Sequence, residues 1–217
     1  MPMPESLKRG ELRKVLRALT SPVAGLKEHE FELNQGRVHN ISIPPMDLDK
    51  NVNFDPTFFA PCRASLLLEP DDSYDKRAPP GFYEFDPNDT KCSRPIDCVR
   101  NMLDYFTHYT CNCTLFSKDQ ALNGPWSSIS LGDKPFPFAG LHCHTFPEFV
   151  AIHAYQVNEG PHPHVKARIC NNLNGTDGTI LRGEVMTALH LMIGQMRRAR
   201  FIDHMTATGY FASPPSP

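Results

Sequence analysis

One stretch of this 217-residue chain leaves little freedom about its fold, and it runs from Glu148 to Cys170. With Asn158-Glu159-Gly160-Pro161 as a turn, the residues on either side sort cleanly into two faces. Val150, Ile152, Ala154, Val165, Ala167 and Ile169 fall on one face; His153, Tyr155, His162, His164, Lys166 and Arg168 fall on the other. Successive side chains of a strand point to opposite sides. A register that separates apolar from polar this well predicts a half-buried β-hairpin.

Around that hairpin the chain reads as helix and loop. Leu7, Leu12, Val15, Leu16 and Leu19 keep near-helical spacing among basic residues, predicting a helix over 4–19. Residues 20–60 are loop-rich, with short strands expected at Phe31–Leu33 and Arg37–Ile43; another is expected at Cys62–Leu68. A middle helix is expected over Pro95–Tyr109, with Val99, Met102, Leu103 and Phe106 inward and Ser93 at its cap. Residues 117–140 read as loop and hold the only tryptophan, Trp126.

A last helix is expected from Ile180 to Met205, with Leu181, Val185, Leu189, Met192 and Met196 as its buried stripe. Arg197, Arg198 and Arg200 near its end suit the helix dipole, and Gly183 and Gly194 mark close packing. The expected fold is α+β: a small, mostly antiparallel sheet with N-terminal, middle and C-terminal helices. Residues 1–212 are expected to form a single globular domain, followed by a disordered Pro-rich tail at 213–217.

Composition narrows the function classes. The net charge of −2 gives no strong steering toward nucleic acid or a membrane. No apolar run approaches the ~20 residues of a membrane span. Proline, at 21 of 217 residues, is about twice its usual share, which favours loops and interrupted strands. The seven cysteines are odd in number and lack Cys-x-x-Cys spacing. With no signal peptide at the N-terminus, they are expected to be free thiols of an intracellular, cytoplasmic protein. On the same ground the four Asn-x-Ser/Thr sequons, at Asn40, Asn88, Asn112 and Asn174, are read as chance. His108, Cys111 and Cys113, with Cys92 and Cys98, match no common zinc module. No phosphate-binding loop, Gly-x-Ser-x-Gly elbow or His-Glu-x-x-His pair occurs.

Histidine is the exception to this blandness. Five of the ten lie between His142 and His164, where uniform scatter would put about one. On one extended strand, His142, His144 and Glu148 have equal parity, the parity of Val150, Ile152 and Ala154. Two imidazoles and a carboxylate projecting into an apolar interior are the ligand set of an open iron(II)-type site. Alternation puts Cys143 on the opposite side, so a thiol–imidazole pair is not expected.

The stretch His142-Cys-His144-Thr-Phe-Pro-Glu148 resembles the first cupin motif over about seven residues. Phe136 and Tyr155 stand where that motif has glycines, and no second motif follows. The resemblance implies His142, His144 and Glu148 as ligands of a divalent metal (iron, zinc or manganese) and oxidoreductase or isomerase chemistry. Residues 138–205 also resemble a family of uncharacterised filamentous-fungal proteins, through Gly140–Phe149 and Arg197–Met205. That resemblance implies no activity; it implies further β structure after the last helix, and the proline-rich ending fits a shortened chain.

Three functions follow as expectations. A non-catalytic binding or accessory protein is favoured, because no complete catalytic constellation occurs; it predicts an exposed polar hairpin face. A metal-dependent enzyme would use His142, His144 and Glu148, with His153 or His164 completing the shell. An anion or nucleic-acid binder would use His153, Tyr155, His162, His164, Lys166 and Arg168, with the Arg197–Arg200 cluster.

Overall fold

The computed structural model describes residues 4–32, 86–91, 93–115, 126–129, 142–143, 147, 149–157, 163–176, 178–205 and 209–212. The chain divides into two compact units, one of Met1–Ile43 with Pro125–Pro217 and the other of Pro44–Gly124. The fold is α+β. Among the described residues the first unit carries helices α1 (Leu7–Ala24) and α3 (Arg182–Met196), a 3-10 turn at Ala199–Phe201, and seven strands. These are β1 (Glu30–Glu32), β2 (Trp126–Ile129), β3 (His142–Cys143), β4 (Phe149–Val157), β5 (Val165–Asn171), β6 (Thr179–Leu181) and β7 (Gly209–Ala212). The second unit carries helix α2 (Pro95–Leu115). The strands expected at Arg37–Ile43 and Cys62–Leu68 lie outside the described residues, as does the tail.

Helix α1 starts at Ser6, whose hydroxyl accepts from the Arg9 N–H at 3.3 Å. Its inward stripe is Arg9, Leu12, Leu16, Leu19 and Val23, at spacings of three and four. The expected stripe differs at its start: Leu7 is 88% exposed and Val15 55%, while Arg9 is 1% exposed. Arginine is almost never fully buried without partners. Here the Arg9 guanidinium donates to the carbonyls of Phe201, of His204 at 2.5 Å and of Met196 at 2.8 Å, and pairs with Glu5 at 3.3 Å. It therefore closes the far end of α3.

The larger sheet runs β2-β4-β5-β7, with β3 sharing the β2 edge of β4. All its pairs are antiparallel except β5–β7, which is parallel. The expected hairpin is β4–β5, joined by residues 158–164. Ala154 faces Ala167 and Tyr155 faces Lys166, so the sorting of faces holds through this half, with partners two residues further along than a turn at 158–161 gives. A β-bulge at Ile152 then inverts the alternation, because Ala151 pairs with Ile169 and His153 with Arg168. Ala151 consequently joins Ala154, Val165, Ala167 and Ile169 on the inner face, and Val150 pairs with Cys170 on the outer one.

The exchange has a packing consequence. Small residues now stand inward at Ala151, Ala154 and Ala167, and with Ile129 and Val165 they pack around Leu191 of α3, which is 0% exposed. Helix α3 lies between this sheet and α1. On its other side Val185, Met186, Leu189, Ile193 and Met196 meet Leu16 and Val23 of α1 and Phe149 of β4. It is thus buried all round rather than along one stripe. It is also shorter than expected: Thr179–Leu181 forms β6, pairing with β1, and the helix ends at Met196. Gly183 does mark close packing, since a Cβ there would lie 2.4 Å from Asn171 Oδ1 and 2.6 Å from Phe149 Cγ.

In α2 the buried stripe is Ile96, Val99, Leu103 and Thr107, while Phe106, expected inward, is 49% exposed. Neither Cys98 of α2 nor Cys170 of β5 is in a disulfide.

Candidate functional site: a cation–aromatic sheet face

The outer face of the larger sheet gathers most of the predicted binding residues. Three adjacent strands supply it. Strand β2 places Trp126 beside Val157 and Ser128 beside Tyr155; strand β5 places Lys166 beside Tyr155 and Arg168 beside His153. Directly opposed residues of an antiparallel pair share a face, so Trp126, Tyr155, His153, Lys166 and Arg168 all project to one side.

Their contacts alternate cation and ring. The Lys166 ammonium sits 4.5 Å from the centre of the Trp126 ring and 5.3 Å from that of Tyr155. The Arg168 guanidinium lies 5.7 Å from the Tyr155 ring, and His153 stacks alongside Tyr155 at 6.4 Å and 22°. A cation over an aromatic face gains about 0.5–1 kcal/mol at an exposed site and about 2 where water is excluded. All five side chains are half-buried, so the face is not the fully exposed surface expected.

A second basic element borders this face. Arg200 donates to the carbonyl of Val157 at 2.8 Å, and Val157 is the residue opposite Trp126. Arg198 donates to Gln156 Oε1. Burial, and then the neighbouring Arg200 charge, pull the Arg198 pKa down from the usual guanidinium range. Of the three arginines expected to serve the α3 dipole, Arg198 and Arg200 bond to β4 instead, and Arg9 takes over the Met196 carbonyl.

Of the remaining candidates, His164 precedes β5 and its carbonyl accepts from the Val157 N–H at 3.3 Å. His162, His144 and Glu148 lie outside the described residues. The metal expectation assumed one extended strand through 142–154. Instead β3 and β4 are antiparallel to each other, with His142 opposite Val150 and Cys143 opposite Phe149. The chain therefore reverses between β3 and β4, which are two strands and not one continuous one. Pro147 explains the break, because it has no N–H to donate to a central ladder. Among the described residues no group of three or more His, Cys, Asp or Glu is placed to hold a metal ion.

Sequence reasoning missed Trp126, because β2 is four residues long in a stretch rich in Gly, Pro and Ser. The signal that could have found it is the Trp-Ser-Ser-Ile run itself, whose Trp126 and Ile129 bound a strand of ordinary β-formers. None of the described helices is long and apolar enough to cross a membrane. No family model, curated protein or solved structure matches this chain.

Proposed function

We propose that this is a non-catalytic binding protein whose ligand is anionic and carries a flat face, taken up on the outer face of β2, β4 and β5. The observation behind this reading is the interleaving of Lys166 and Arg168 with the rings of Trp126 and Tyr155. Cations interleaved with aromatic rings suit a phosphate-bearing ligand with a stackable base. Arg200, on the carbonyl of the residue opposite Trp126, extends the positive potential past the Trp126 end of the face. The metal-dependent oxidoreductase or isomerase reading draws no support from strand parity once β3 and β4 form separate strands.

Trp126 is the chain's only tryptophan, so its fluorescence reports on the face directly. Titration with a short single-stranded oligodeoxynucleotide should change that emission saturably, with pyrophosphate as the arm that lacks a base. Raising salt should weaken binding, by about 0.7 in log–log slope for each phosphate contacted. Lys166→Ala should reduce affinity for both probes. An emission that neither probe alters at millimolar concentration would rule the reading out.

A further inference from the structure

A separate cavity lies at the start of α3, on the inner side of the larger sheet, lined by His29, Phe149, Asn171, Leu181, Arg182 and Gly183, among others. It has room for about one particle the size of a water molecule. Asn171 is 8% exposed, and its Nδ2 is buried with no hydrogen-bond partner; the same is true of His29 Nδ1. Buried polar groups are nearly always paired, so two orphans at one cavity point to a missing ligand.

We propose that this cavity binds one small monovalent anion of about the size of chloride. Donors reach it from β5 and from the start of α3. Asn171 Nδ2 carries two N–H bonds. The first residues of α3 present backbone N–H groups that no side chain caps. Gly183 lacks the Cβ that would block their approach, since that atom would lie 2.4 Å from Asn171 Oδ1. Arg182 lines the cavity and supplies a positive charge, its guanidinium anchored on the carbonyls of Leu26 at 2.6 Å and Ala24 at 3.4 Å. Its own N–H donates to the His29 carbonyl at 2.8 Å, which ties the segment before β1 to the helix start. A water molecule must find acceptors for its two hydrogens as well as donors for its oxygen; an anion needs donors only. The positive end of the helix dipole adds to the preference. Glu184 is the opposing charge, and its carboxylate is turned to the Leu181 N–H at 2.9 Å.

The test uses the full chain. Crystals grown with bromide in place of chloride should give an anomalous peak between Asn171 Nδ2 and His29 Nδ1. In solution, the melting temperature should rise saturably with sodium chloride relative to sodium gluconate of equal ionic strength. Asn171→Asp keeps the side chain's shape but replaces the donor with a negative charge, and it should abolish that rise. Anomalous peaks confined to surface cations, or a site refining as water with no anomalous signal, would overturn the proposal. An equal chloride response in wild type and variant would do the same. The wild-type diffraction decides the matter even if the variant does not fold.

Discussion

The two ends of α3 are completed by opposite means. At the C-terminal end the last carbonyls meet a fully buried cation from the other end of the chain: Arg9 donates to Met196 and also to Phe201 and His204 beyond the helix. At the N-terminal end a backbone carbonyl and a nearby side chain serve instead: the Arg182 N–H donates to the His29 carbonyl at 2.8 Å. Glu184, three residues into the element, accepts from the Leu181 N–H at 2.9 Å, and neighbouring donors are left without a capping side chain. A helix leaves about four N–H groups and four carbonyls unmatched at its ends. One end of α3 is thus closed by tertiary structure and the other stays open enough to admit a ligand. The first arrangement serves stability; the second leaves room for binding.

Breaking the closed end should have the largest effect. Arg9→Met removes the guanidinium and leaves three carbonyls without their donor. A buried carbonyl left without a donor costs about 1–3 kcal/mol, so the three together make this the largest loss. Urea denaturation should register that loss as a lower midpoint with little change in slope. A cost below about 1 kcal/mol would mean that water replaces Arg9 at α3 and that this end is not closed as described.

At the open end, filling the space should hurt less. Gly183→Ala gains up to about 1 kcal/mol of helix propensity. Against that, its Cβ would meet Phe149 Cγ at 2.6 Å and Phe149 Cβ at 2.8 Å, which no rotation of the Asn171 amide relieves. Overpacking of this kind costs about 1–3 kcal/mol, so the net change should be destabilising. A melting temperature at or above that of wild type would show that β4 can retreat from the helix.

A third substitution should act in the opposite direction, back near the closed end. Gln195 is 0% exposed, and neither its Nε2 nor its Oε1 has a hydrogen-bond partner. It lies one turn beyond Leu191, whose side chain packs on the sheet. A buried unpaired polar group costs about 1–3 kcal/mol, and Leu is close to Gln in volume. Gln195→Leu should therefore raise stability by about 1–2 kcal/mol within that range. A loss on the same measurement would place an ordered water between the amide and its neighbours.

These ends also mark what could be read in the sequence. Gly183 is legible as a packing position from its helical context alone, although α3's start is itself tied to distant residues through β6 on β1 and the Arg182 N–H on the His29 carbonyl. The Arg9 contact joins residues 187 apart to Met196 and 192 apart to Phe201. No periodicity can reveal that, and the apolar pattern selected Leu7 and Val15 in place of Arg9. The hairpin was legible because alternation is a period-2 signal carried by many residues. The bulge at Ile152 was not, because it answers to α3: it turns Ala151, rather than the larger Val150, toward Leu191. Strand β7 is four residues whose partner, β5, precedes α3, so only the return of the chain defines it. The histidine segment reads as a single strand through 142–154, but β3 and β4 are separate antiparallel strands, and His144 and Glu148 lie outside the described residues.

Glu184 sets the smallest of these effects, and its sign separates two forces at the open end. Burial raises its pKa above the usual carboxylate value, and the hydrogen bond from the Leu181 N–H only partly offsets this. A carboxyl whose folded pKa is raised adds stability that is complete below its unfolded pKa and is lost as pH climbs through the folded value. Glu30 behaves oppositely. Hydrogen bonds from Thr179, then from Thr176, lower its pKa, so its contribution is lost as pH falls. Comparing Glu184→Gln with wild type cancels the Glu30 contribution and leaves that of Glu184. Gln keeps an oxygen for the Leu181 N–H, so the variant should be the more stable protein at neutral pH, with the advantage vanishing near pH 4. The helix dipole argues the other way, since it favours a negative charge in the first turn by about 0.3–1 kcal/mol. A variant less stable than wild type at neutral pH would show that the dipole outweighs burial, and the start of α3 would then already hold its anion in Glu184.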